Sequence, residues 1–184
     1  MRVIAGKLRG KILQSPEGEQ TRPTADRARE SLFDILSSLL LKAGRCWGDV
    51  TFADIFAGSG AIGIEAFSRG AKSVVCLEND GRALVCLKNN AAGLNGVHVC
   101  AADALNPPVH EPVTVLFMDA PYGRGLWQQA LTACHRAGWI DDRTLIIIET
   151  DKKLHEELPN GFDLIRERAA GRNLFLFAKT QKEA

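Results

Sequence analysis

Residues 52–70, FADIFAGSGAIGIEAFSRG, decide how the rest of the chain is read. Phe52, Ala53, Ile55 and Phe56 form a short apolar run of β type that stops at Gly58-Ser59-Gly60. Ala61, Ile62, Ile64, Glu65, Ala66 and Phe67 then suit a buried helix. Strand, glycine turn and helix in that order place backbone N–H groups at a helix N-terminus, where a polar or anionic cofactor can be held. The pattern predicts a cofactor site but does not identify the cofactor.

Working outward, further apolar runs read as strands at Ser73–Glu78 (SVVCLE) and at residues 97–100, 113–119 (VTVLFMD) and 144–149 (TLIIIE). Helices are predicted over 81–94 and 126–138, and a closing antiparallel hairpin over 162–168 and 173–179. Upstream, a helix with Thr24 as its N-cap buries Ala28, Leu32, Ile35, Leu36 and Leu39. The Pro/Gly/Glu content of residues 14–20 predicts a loop, and MRVIAGKLRGKIL suggests a short two-stranded β element with Arg2, Lys7, Arg9 and Lys11 facing solvent. Strands alternating with helices predict an α/β fold whose mostly parallel sheet is covered on both faces. At 184 residues, 46% hydrophobic and 24% charged, the chain fits one globular domain.

The formal net charge of +1 excludes a polycation, but the charge is unevenly spread. Residues 1–29 hold seven basic and three acidic side chains, a balance of +4, whereas the remainder has 16 basic and 19 acidic, or −3. A basic appendage on a neutral body suits contact with a polyanion, though a solvated basic surface reads the same way on charge alone. Arg22, Arg27 and Arg29 crowd the start of the first helix, where cations oppose the macrodipole, which points to an anionic partner or nearby carboxylates. The five cysteines are odd in number without a CxxC pair, and the four histidines lack ligand spacing. They read as reduced thiols in a cytoplasmic protein without a metal site. No apolar run approaches the roughly 20 residues that cross a bilayer.

In parallel sheets ligands sit beyond the C-terminal strand ends. Asp54 and Gly58 follow the first strand, Glu78 the second, Asp103 the third and Asp119 the fourth. Any one of them alone reads more often as a cap or turn residue, but four in step on successive strands point to a site. Gly58, Gly60 and Gly63 satisfy GxGxxG, and Glu78 follows about 20 residues later, so the dinucleotide fingerprint is formally met. Against a dehydrogenase stand the short chain, the absence of a second βαβαβ half, and Asp119-Ala120-Pro121-Tyr122, which that reading leaves unexplained.

The segment from Asp54 to Gly60 resembles motif I of class I S-adenosylmethionine-dependent methyltransferases. Asp119-Ala120-Pro121-Tyr122 resembles the (D/N)PP(Y/F) motif of those that methylate exocyclic amines. RVIAGKLRGKIL, then RPTADRARESLFDIL, then DIFAGSGAIGIEAFSRGA, in this order and spacing, resemble the RsmD family of bacterial 16S rRNA guanine-N2 methyltransferases over nearly the whole chain. Ala120 departs from the family pattern, which usually has proline there; alanine keeps the carbonyl, and Pro121 still restrains it.

The resemblance implies a Rossmann-like class I methyltransferase fold: a mostly parallel seven-stranded sheet, helices on both faces and an antiparallel C-terminal hairpin. A basic β extension (1–20) would precede the methyltransferase domain (21–184). S-adenosylmethionine would be the cofactor and S-adenosylhomocysteine the product, with no metal. Glu78 would accept from both ribose hydroxyls and Asp103 would contact the adenine amino group. Asp54, Gly58 and Gly60 would hold the methionine moiety, with Phe56, Ser59, Asn79, Ala104 and Asp119 completing the cofactor surroundings. Asp119 and the Ala120 carbonyl would orient the target amine, Pro121 would shape the loop and Tyr122 would stack on the base. Arg2, Lys7, Arg9, Lys11, Arg22, Arg27 and Arg29 would contact the backbone of 16S rRNA within a small-subunit particle, the enzyme being a monomer that engages neither DNA nor membrane. Thr24, Asp26 and Arg27 are open between cofactor and RNA.

Transfer to adenine N6 or a glutamine amide shares the same tetrapeptide. A nicotinamide oxidoreductase and a non-catalytic RNA-binding module are the readings from other classes. Calorimetry separates the cofactors: S-adenosylmethionine is expected to bind and NADH to give no heat, and tight NADH binding alone would reverse the assignment.

Overall fold

The apolar runs become the strands of one sheet in the computed structural model, which describes residues 1–16, 23–154 and 156–181. β1 (Thr51–Ile55) leads through the glycine turn to α2 (Ala61–Arg69), after α1 (Pro23–Lys42) has crossed the sheet. There follow β2 (Ser73–Glu78), α3 (Gly81–Ala91), β3 (Val97–Ala101), β4 (Val115–Met118) and α4 (Leu126–Arg136). β5 (Leu145–Asp151), β6 (Phe162–Ala170) and β7 (Asn173–Thr180) complete the fold.

The sheet order is β3-β2-β1-β4-β5-β7-β6, parallel through β5 and antiparallel at the last two strands. Strand order reverses between β1 and β4, the switch point where such sheets open a crevice beyond their C-terminal ends. This is the Rossmann-like class I methyltransferase architecture.

Alternation along the strands sends neighbouring residues to opposite faces. Phe52, Phe117, Ile147 and Phe177 pack with Leu32, Phe33 and Leu36 of α1 and Phe67 of α2. Ala53, Leu116, Ile148 and Leu176 pack on the other face with Trp127 and Leu131 of α4 and with Trp139. Strand β4 is buried along its whole length, as a central parallel strand must be. A Cβ at Gly63 would lie 2.6 Å from Cys76 Sγ, so only glycine lets α2 approach β2 this closely.

Two local readings change. Helix α1 begins at Pro23, whose missing N–H costs nothing at a first helical position, and this puts Thr24 inside the first turn. At the N-terminus the expected pair of strands reduces to one antiparallel bridge, Arg2 with Ile12. The reason is that its N–H groups turn to α2: Ile4 and Ala5 donate to the buried Glu65 carboxylate (2.7 and 3.0 Å), and Leu8 donates to Ser68 Oγ (2.9 Å). Arg69 Nε also donates to Glu65 (2.9 Å). Among the described residues no helix is long and apolar enough to cross a membrane, and all five cysteines are free thiols.

Because Glu65 is fully buried with Arg69 and two backbone donors on it, its loss strands both backbone donors and leaves Arg69 only the long pair with exposed Asp34 (3.9 Å) and the Phe33 ring. Glu65→Ala is expected to lower unfolding stability by ~3 kcal/mol, read as a shifted urea midpoint.

Candidate active site

The site is built at the switch point, from the loops that leave β1, β2, β4 and β5. Asp54, on β1, is buried and its Oδ2 accepts from the Gly63 N–H (2.8 Å), the third residue of α2. That bond ties the helix start to the strand it left. Gly58 and Gly60 turn through left-handed backbone (φ +55° and +80°), as does Phe56 at +67°. Phe56 is the one non-glycine among the described residues in that region; such strain, worth ~1–3 kcal/mol, persists only where the surroundings impose it and clusters at functional sites.

Glu78 closes the loop from the neighbouring strand. Its Oε2 accepts from the Gly58 N–H (2.7 Å), and its Oε1 accepts from the N–H groups of Asn79 and Asp80 (2.8 Å each). A Cβ on Gly58 would meet no protein atom within 4 Å, so the outer side of the loop opens into space at the Glu78 carboxylate. Residues 56–60 carry no cationic side chain, so this opening beside the Glu78 carboxylate fits a donor carrying an ammonium and a sulfonium. Asp103, exposed, forms an Asx turn by accepting from the Leu105 N–H (2.9 Å), and Ala104 is buried beside it. Ser59 is buried, and its carbonyl accepts from Asn90 Nδ2 (2.9 Å); the same side chain holds the Gln14 backbone at both N–H and C=O.

At the end of β4, Asp119 is exposed, Ala120 buried, Pro121 exposed and Tyr122 half-buried. Burial, with the charges of Asp119 and Glu78 behind it, pushes the Asp54 carboxyl up to about 7 against the pull of the Gly63 N–H. Burial, then the Asp119 and Glu149 charges, holds the Tyr122 phenol well above its ordinary value, so it stays neutral.

Glu149 and Asn173 also stand at this edge of the sheet, where strand-end reasoning did not place them, although TLIIIE ends in an acid just as SVVCLE does. Glu149 sits on β5 one residue past Ile148, which pairs with Met118, and its Oε1 accepts from Asn173 Nδ2. Burial first, and Asp119 second, push its carboxyl up to about 8 while the Asn173 amide pulls it down.

The basic residues divide. Arg2, Lys7, Arg9 and Arg27 are exposed and Lys11 is half-buried; Lys7 Nζ lies 3.4 Å from the Phe67 ring centre. Arg29 departs from the expected RNA-facing role. It is buried, and its guanidinium donates to the Arg2 carbonyl (2.7 Å) and to Asp26 (3.1 Å). Fixing the N-terminal segment occupies those donors. Arg22 lies outside the described residues.

Fold and crevice define a class I methyltransferase. Residues 1–179 match the family model described as conserved hypothetical protein 95. The chain is 33% identical over 176 residues to ribosomal RNA small subunit methyltransferase D of Escherichia coli strain K12, covering 93% of this chain and 85% of that protein. The Haemophilus influenzae protein of the same name is 34% identical over 179 residues, 93% and 89% of the two chains. The solved structure of Escherichia coli yhhF, described as a candidate methyltransferase, superposes with a TM-score of 0.82 at 29% identity, covering 100% and 99%. The chain belongs to the RsmD family of methyltransferases.

The raised carboxyls have a signed consequence. Asp54 and Glu149 bind a proton more tightly folded than unfolded, so their contribution is full below about pH 4 and is lost as pH rises through about 7 and 8. The melting temperature of the cofactor-free protein should therefore fall between about pH 5 and 8, and Asp54→Asn combined with Glu149→Gln should flatten that slope in calorimetric scans.

Proposed function

We propose that the chain transfers a methyl group from S-adenosylmethionine to the exocyclic N2 of a guanine in 16S rRNA. The observation that carries the reading is the meeting of two motifs at one switch point: the glycine loop after β1, tied by Glu78, and Asp119-Ala120 after the adjacent β4. The names of the E. coli and H. influenzae relatives supply the substrate class, and the resemblance of the N-terminal segments supports guanine N2.

Glu78, Asp103 and the loop from Asp54 to Gly60 hold the cofactor, which when bound supplies an electrophilic sulfonium methyl. Guanine N2 is a weak nucleophile because its lone pair is drawn into the ring. Asp119 and the Ala120 carbonyl accept its two hydrogens, orient the amine and stabilise the positive charge that develops on it. Asp119 need not be a strong base for this: N2 becomes strongly acidic as it gains the methyl carbon, and the proton it sheds passes to the Asp119 carboxylate and on to water. Tyr122, kept neutral, offers a flat face to a base extruded from its stack. Arg2, Lys7, Arg9, Lys11 and Arg27 carry the backbone contacts to a small-subunit particle, so affinity falls as salt rises.

Tritiated methyl transfer to naked 16S rRNA, small subunits and DNA, followed by nucleoside analysis, tests the assignment. N2-methylguanosine in rRNA is the expected product, and N6-methyladenosine or a labelled protein would overturn it. Asp119→Ala should cut the rate at least ~10²-fold while RNA retention stays within about twofold.

A further inference from the structure

Beside the transfer motif the fold places a second carboxylate that this chemistry leaves unused. Strands β4 and β5 run parallel with Met118 opposite Ile148, so Asp119, just past the end of β4, neighbours Glu149 on β5 near the C-terminal edge of the sheet. Glu149 is half-buried, and its Oε1 is held by the Asn173 amide, from the first residue of β7. β7 pairs with β5 on the far side, Asn173 opposite Asp151 and Phe175 opposite Glu149. Two strands thus fix one acid in place. An ionisable group in this position is costly beside another carboxylate, and neither packing nor the Asn173 hydrogen bond requires it, since a glutamine of the same length would satisfy both.

The base edges supply a use for it. Guanine presents its N2 amine beside an N1–H, three donors side by side. Adenine presents its N6 amine beside an N1 lone pair. Once Asp119 and the Ala120 carbonyl hold the amine, the next acceptor along the edge meets ring position 1. A carboxylate there, ionised once a cationic donor and the base N–H groups stand beside it, accepts the N1–H of guanine and repels the N1 lone pair of adenine.

We infer that Glu149, oriented by Asn173, is the residue that selects guanine, accepting the N1–H of the target base next to the amine held at Asp119. The inference rests on the proposed guanine-N2 activity and adds to it the group that reads the base. Glu149 would thereby be a specificity-determining residue rather than part of the methyl transfer itself.

The test first maps the guanosine that wild-type enzyme modifies. A small-subunit rRNA is then assembled carrying 2-aminopurine riboside at that position, which keeps the N2 amine but replaces N1–H with a lone pair. Wild-type enzyme is expected to prefer guanine by ~10²-fold or more in kcat/KM, because the analogue leaves a buried polar group facing a lone pair. In Glu149→Gln, whose amide can turn an N–H toward that lone pair, the preference should shrink to ~10-fold or less. A preference unchanged from wild type overturns the inference, as does a wild-type enzyme that treats both bases alike. A structural role would slow both substrates equally and leave the ratio untouched, which also overturns it. Melting temperature and S-adenosylmethionine affinity verify that the variant is folded. If it is not, Asn173→Ala carries the test, since it leaves the carboxylate but frees its orientation, and its ratio should fall between the other two; an unchanged ratio there overturns the inference equally. A wild-type product other than N2-methylguanosine defeats the proposed function instead, so the two failures are told apart.

Discussion

The bond from the Gly63 N–H to the buried Asp54 carboxylate, at 2.8 Å, is the constraint from which the rest of the molecule is hung. It satisfies a donor at the start of α2 that no helical carbonyl can reach, and it does so from the strand the chain has just left. With the helix start fixed, Gly63 brings α2 against β2, and the opposite side of the helix offers Glu65 and Ser68 to the N-terminal segment. The Glu78 carboxylate repeats the device one strand over by accepting from Gly58. The glycine turn is therefore held at both ends by acids from neighbouring strands. A loop held in this way is preorganised, so a ligand meeting it need not spend binding free energy on ordering it.

Local rules carried most of this as far as the sheet. Apolar runs, glycine turns and strand-end acids are short-range signals, and β2 falls on the residues its periodicity predicts, Ser73–Glu78. What escaped depends on contacts between distant parts of the chain. Arg29 reads as a surface cation by composition, yet the Arg2 carbonyl, 27 residues away, draws it into the protein. Asn90 looks like an ordinary polar residue near a helix end, but it clamps Gln14 to the Ser59 carbonyl and so connects the N-terminal segment to the cofactor loop. Glu149 ended a predicted strand in plain view; only the register of β5 on β4 puts it beside Asp119. The left-handed backbone of Phe56 carries no sequence signal at all, because it is imposed by the turn around it.

Electrostatics resolves the ambiguity that the glycine motif leaves. A pyrophosphate on this turn would meet the charges of Glu78 and Asp119, which, behind burial, already help to raise the Asp54 carboxyl to about 7. Adding two negative charges to that edge would compound the repulsion. A ligand with a positive charge relieves it, because each carboxylate then gains a counter-charge and its ionised form becomes the favoured one. The same glycines that could cradle phosphates in another protein therefore select, through the acids around them, for a cationic donor.

The same reasoning extends across the crevice to the base. Asp119 stands between two groups of side chains: its charge reaches Asp54 on one side and Glu149 and Tyr122 on the other. In the proposed reaction a cationic donor on one side and a base edge rich in N–H groups on the other would each offset the Asp119 charge and so favour the ionised Asp54 and Glu149 carboxyls. Binding on one side would therefore make the ionised state on the other less costly, a coupling that needs no moving part. The sheet order supplies it, because β4 lies between β1 and β5 and carries the shared carboxylate at its end.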